Sequence, residues 1–100
     1  MAEDPIVLNV HFDALPGREE DLIRELSALV EPTRKESGCH TYELHIDPEN
    51  RGKLMFHEQF ANQAALDFHV NSTHFKKFLS YRDTSDPVAK RTVTRWKRLA

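Results

Sequence analysis

A single cysteine, Cys39, stands in a chain of 100 residues. One thiol excludes an intramolecular disulfide and a thiolate metal cluster within the chain, and it fits a reducing compartment. Glycine is equally sparse: Gly17, Gly38 and Gly52 lie far apart. Each ends an element, so none builds the glycine-rich loop that cradles phosphate. No GxSxG motif is present, and nothing around Cys39 marks a nucleophile. Apolar runs are too short to span a membrane. The start, MAEDP, is polar and acidic rather than leader-like, so the cytoplasm is the expected location. Charge of one sign is also missing: 14 Lys and Arg against 16 Asp and Glu leave a formal charge of −2. That balance gives no electrostatic reason to expect nucleic acid or a membrane as partner. The basic C-terminal run through Lys90, Arg91, Arg95, Lys97 and Arg98 alternates with Val93, Thr94 and Leu99, as in a strand with solvated charges.

What is present describes one ordered domain over residues 1–100. Hydrophobic residues make up 39% and charged residues 30%, a composition that buries a core and argues against disorder. Ile6–Phe12 is rich in β-branched residues between Pro5 and Pro16-Gly17, the signature of a first strand. Glu19, Glu20 and Asp21 precede Leu22, Ile23, Leu26, Leu29 and Val30 at helical spacing, predicting a helix over Arg18–Glu36 that stops at Gly38. Pro32 inside that span removes a helical hydrogen bond, so a kink or break is expected there.

Cys39–Asp47 alternates as a second strand, with Tyr42, Leu44 and Ile46 on one face. Asp47–Gly52 has turn chemistry and makes a hairpin with a third strand, in which Leu54, Phe56, Glu58 and Phe60 share a face. Asn62 is a candidate cap for a second helix that breaks and restarts at Asn71-Ser72-Thr73. The polar loop Asp83–Pro87 leads to a fourth strand over Lys90–Leu99.

The order strand, helix, strand, strand, helix, strand is that of the α+β ferredoxin-like fold, a four-stranded antiparallel sheet with its helices on one face. The uncovered face carries either Ile6, Leu8, Val10 and Phe12 or Val7, Asn9 and His11, with Met55 added. Apolar content on such a face predicts association, and a twofold homodimer is expected.

The stretch Lys53–Phe78 concentrates the chemistry. Glu58 shares parity with Leu54, Phe56 and Phe60, and a carboxyl in such company is either paired or raised in pKa. His69 and His74, five apart, would point about 140° from each other on a continuous helix. The break between them permits a meeting. The expected arrangement is Glu58 facing His69 within hydrogen-bond reach, directly or through one water, as an acid–base pair. Six histidines raise the question of metal. None shows the spacing of a dedicated zinc motif. Glu58, His69 and His74 are a conceivable facial triad, but no bound metal is expected. Tyr42, Phe56, Phe60, Phe75 and Phe78 either fill the core or line an aromatic ligand's pocket.

The chain resembles the antibiotic biosynthesis monooxygenase family. The resemblance rests on Pro16-Gly17, on Glu36-Ser37-Gly38-Cys39 with Tyr42, and on Glu58-Gln59-Phe60. Ala65-Leu66-Asp67-Phe68-His69 and Thr73-His74-Phe75 complete it. Within the family, GCHTY and HEQF are most similar to the quinol monooxygenase branch, and the HxxxxHF helix resembles autoinducer-processing isomerases.

The resemblance implies a dimeric α/β barrel that oxidises a quinol or other hydroxy-aromatic small molecule with dioxygen and no cofactor. It makes Glu58, His69 and His74 the catalytic residues, with Asn9 and the five aromatics around the substrate. Relatives often have Trp where this chain has Phe60, and haem-degrading relatives have His near the position of Leu79, which argues against haem. The alternatives are an isomerase of a small carbonyl or phosphorylated autoinducer-like substrate, for which Lys76, Lys77 or Arg95 would have to point inward, and a non-catalytic ligand-binding dimer.

Overall fold

The computed structural model describes residues 4–100. The first strand, β1 (Ile6–Ala14), buries Ile6, Leu8, Val10 and Phe12 and turns Val7, Asn9 and His11 the other way. Helix α1 (Glu19–Arg34) follows a turn in which Gly17 adopts φ +84°, a conformation that glycine takes without strain. The acidic first turn of α1 suits the positive end of the helix dipole. Leu22, Leu26 and Leu29 form its buried stripe. The expected break at Pro32 is absent. The helix runs through the proline and ends two residues later, so the missing N–H falls in the last turn, where little helix remains to disrupt.

Strand β2 (Cys39–Asp47) pairs with β3 (Asn50–Phe60), and β3 pairs with β1. The hairpin turn is tighter than expected, because β3 already begins at Asn50. The helical segment after β3 is broken as the capping residues predict. In α2 (Gln63–Val70) the Asn62 side chain accepts from the Ala65 N–H; in α3 (Thr73–Ser85) the Ser72 hydroxyl accepts from the Phe75 N–H. Strand β4 (Val88–Trp96) begins two residues before the expected Lys90 and stops short of Leu99. It pairs with β1, giving the antiparallel order β2-β3-β1-β4 of the ferredoxin-like fold.

Register sorts the side chains. Tyr42 lies opposite Glu58, Glu58 opposite Leu8, and Leu44 opposite Phe56 on the helix-covered face. The outer face carries Glu43, His57, Asn9 and Thr94 in one row and His45, Met55, His11 and Thr92 in the next. It is the Val7/Asn9/His11 parity, the more polar of the two, that faces away from the helices. The core lies between sheet and α1, where Phe56 and Phe60 are fully buried beside Leu22 and Leu26. Gly38 sets the approach of α2: a Cβ there would overlap the Cβ of Ala65.

Candidate active site

Strand parity delivers Glu58 to the helix-covered face, as its spacing from Phe56 and Phe60 requires, and the residue is 5% exposed. It sits on the wall of a cavity of about 200 Å³. Tyr42, Phe56, Phe75 and Phe78 supply aromatic walls, and Arg82 and Arg91 are its cationic members. Phe56 stacks on Tyr42 with ring centroids 4.5 Å apart, so one side of the cavity is a rigid double layer of rings.

Burial raises the Glu58 pKa to about 7, Arg91 pulls it down, and the more distant Glu36 pushes it up. A carboxyl poised there exchanges a proton readily near neutral pH. Tyr42 is different: loss of solvent, then the Glu58 charge, push its phenol far above the ordinary range, so it stays protonated. Arg82 is held by Asp86 through two contacts of 3.1 Å. Arg91 has no acidic partner within 4 Å among the described residues, and its guanidinium lies 5.8 Å from the Phe12 ring centroid.

No direct hydrogen bond joins Glu58 to His69. His69 donates from Nδ1 to Oε2 of Glu36 at 2.9 Å, and His74 donates from Nε2 to that same oxygen at 2.6 Å. Glu36 reaches them from the turn after α1, which is closed by Glu36 N–H to Thr33 carbonyl and Cys39 N–H to Glu36 carbonyl. The Asn71–Thr73 break does bring the two imidazoles together, with centroids 6.1 Å apart. The carboxylate they share is Glu36, and Tyr42 neighbours both Glu58 and His69. The Tyr42 ring lies 5.5 Å from the His69 ring and its strand position is opposite Glu58. Burial holds the His69 pKa down, and the contact with Glu36 counters it. Glu36 Oε1 and His69 Nε2 are buried without a hydrogen-bond partner among the described residues.

The remaining expected site residues divide. Phe75 touches both groups of side chains: it lines the cavity and packs 5.0 Å from the His69 ring. Phe78 lines the cavity too. Phe60 is fully buried against His69 and is not on the cavity wall. Asn9 lies on the opposite face of the sheet, where His57 Nδ1 is 2.9 Å from its side-chain oxygen, so it cannot touch a molecule in this cavity. Burial, then Glu36, push the Cys39 thiol up to about 11, which disfavours the thiolate a nucleophile needs. Sequence reasoning missed Glu36, Arg82 and Arg91. Arg91 was legible in principle, since it shares parity with Val93 on β4 and lies opposite Phe12. Glu36 carried no periodic signal, because it belongs to a turn.

The fold is ferredoxin-like, with a small cavity walled by aromatic rings on the helix-covered face of the sheet. Residues 5–81 match the family model for antibiotic biosynthesis monooxygenase. The chain belongs to the antibiotic biosynthesis monooxygenase family. It is similar to PA3566 from Pseudomonas aeruginosa, at 35% identity and TM-score 0.93, covering 100% of this chain and 99% of that one. Another relative, from Mycobacterium tuberculosis, bears the name "Putative monooxygenase Rv0793". It is 33% identical over 78% of this chain and 73% of its own length. The structure of Rv0793 superposes with TM-score 0.85 and covers 96% of each chain. Protein sll1783 from Synechocystis is 33% identical over 78% of this chain, which spans only 53% of that relative.

Proposed function

We propose that the chain is a monooxygenase that oxidises a quinol or related hydroxy-aromatic molecule with dioxygen, and that Glu58 is its base. The observation that carries this reading is a carboxyl with a pKa of about 7 on the wall of a small aromatic cavity. A cavity of about 150 Å³ holds benzene, so about 200 Å³ admits one ring with substituents. Ionised Glu58 takes the phenolic proton. The resulting anion is electron-rich enough to pass an electron to dioxygen, and Arg91 offsets its charge. Where the substrate has a ring carbon carrying two hydrogens, that carbon becomes a carbonyl. One oxygen atom enters the product, the other leaves as water, and no outside reductant is consumed. A simple quinol instead gives up two electrons, yielding the quinone and hydrogen peroxide. The relatives named as monooxygenases support the reaction class. The resemblance to the quinol branch supports the substrate class.

A homodimer through the helix-free sheet face belongs to the same reading, as does a cavity reaction run without a cofactor. His69 and His74 take no direct part in it, since Glu36 holds both.

One observation favours a second reading. Two guanidiniums, Arg82 and Arg91, reach the cavity, which suits an isomerase acting on a phosphorylated or carboxylated carbonyl compound. The cations are not Lys76, Lys77 or Arg95, the residues that such a substrate would have required to point inward. Oxygen uptake separates the readings. Consumption of dioxygen with a hydroquinone or a hydroxy-anthrone supports the oxygenase. Substrate conversion at constant dioxygen supports the isomerase.

A further inference from the structure

Glu36, His69 and His74 come from three elements: the turn after α1, the last turn of α2 and the first turn of α3. One atom from each, Oε2, Nδ1 and Nε2, lies within 4.8 Å of the others. The Glu36 and His69 side chains are 4% and 2% exposed. Around a zinc-sized ion, with ligands about 2.0–2.1 Å from the metal, neighbouring donor atoms stand roughly 3.0–3.4 Å apart. The observed separations from the shared oxygen, 2.9 and 2.6 Å, would open by up to about 0.8 Å to reach that spacing.

Two further observations point to a cation. A buried carboxylate is ordinarily paired with a charge or ligates a metal. No Lys or Arg among the described residues lies within 4 Å of Glu36; its only basic neighbours are the two imidazoles. Its second oxygen, Oε1, is buried with no donor to meet it, so it is free to chelate. There is also a way in. His74, 21% exposed at its side chain, lines a surface groove with Glu25, Pro32 and Lys77.

We propose that Glu36, His69 and His74 form a binding site for one divalent transition-metal ion of the zinc class. Two imidazoles and one carboxylate suit such borderline ions better than magnesium or calcium. The ion replaces the two hydrogen bonds to Oε2, and each neutral imidazole then carries its proton on its other ring nitrogen, Nε2 of His69 and Nδ1 of His74. It clasps the end of α1 to the junction of α2 and α3, behind the wall that Tyr42 and Phe75 present to the cavity. Glu58 is not one of the three ligands, so the proposal does not rest on the cavity reaction. No zinc motif marks the site in sequence, because its third ligand lies 33 positions from the nearer histidine.

The test is calorimetric titration of chelator-stripped protein with zinc chloride, beside the visible spectrum of the cobalt(II) form. The expected result is one zinc per chain, a raised melting temperature and intense cobalt d–d bands of low coordination number. His74→Ala should abolish all three, lowering affinity beyond the ~10–100-fold that loss of an outer-shell partner costs. Glu36→Gln provides a second variant should His74→Ala fail to fold, with circular dichroism checking both. A control, His45→Ala on the opposite sheet face, should bind zinc normally. Failure of stripped wild-type protein to take up zinc at one equivalent would overturn the proposal and leave the cluster purely hydrogen-bonded. Uptake unchanged by His74→Ala, or lost with His45→Ala, would overturn it equally.

Discussion

Tyr42 neighbours both Glu58 and His69: on the sheet it lies opposite Glu58, and its ring is 5.5 Å from the imidazole. The polar residues around it form two units. Glu58 faces the cavity with Arg91, while His69 and His74 share Glu36 behind the wall. Burial, then the Glu58 charge, keep the Tyr42 phenol protonated.

The first prediction follows from the pKa of Glu58. Folding raises it from an ordinary carboxyl value of 4.5 to about 7 through burial. Between those values the folded state holds a proton that the unfolded state has lost. Stability contributed here is therefore full below pH 4.5 and falls as pH rises toward 7. The total is on the order of 3 kcal/mol at most. Glu58→Gln cannot ionise, so its stability relative to wild type should grow across that interval. Urea melts at pH 5 and pH 8 check this: equal differences at the two values would show that Glu58 is not buried as described.

Gly38 yields the second prediction. Its missing side chain lets Ala65 of α2 sit against the turn that carries Glu36. Gly38→Ala should cost about 1–3 kcal/mol, the range for overpacking a tight site. Denaturant titration measures it, and a neutral result would mean that α2 moves freely on the sheet.

The third concerns the outer sheet face. It carries Val7, Met55 and Trp96 among polar side chains, and Trp96 is 55% exposed. A second copy of the chain would cover it, burying roughly 1,600 Å² or more in total. Sedimentation at micromolar concentration should give twice the monomer mass. Introducing like charge there, as in Met55→Glu, should shift the protein toward monomer.

Much of the architecture was legible because it rests on periodicity. Strand alternation placed Glu58, Phe56 and Leu54 on one face, and turn and cap chemistry located the break before Ser72. The site was only partly legible. Parity states which face Glu58 joins, but not which side chain stands next to it. That depends on Tyr42 from another strand, and on Glu36 from a turn whose sequence has no period. Pro32 misled for a related reason: the cost of a proline depends on how much helix lies beyond it, and only two residues do. Asn9 misled because a strand shows two parities without stating which one the helices cover.

Oxygen consumption measured with wild-type and Glu58→Gln protein, each offered a hydroquinone and a hydroxy-anthrone, tests the central claim most directly. The account predicts uptake by wild type that rises with pH to a plateau above about 7, as Glu58 ionises. It predicts a loss on the order of 10²-fold or more in a folded Glu58→Gln protein, the usual scale for removing an acid–base group. Equal uptake by the two proteins would contradict it.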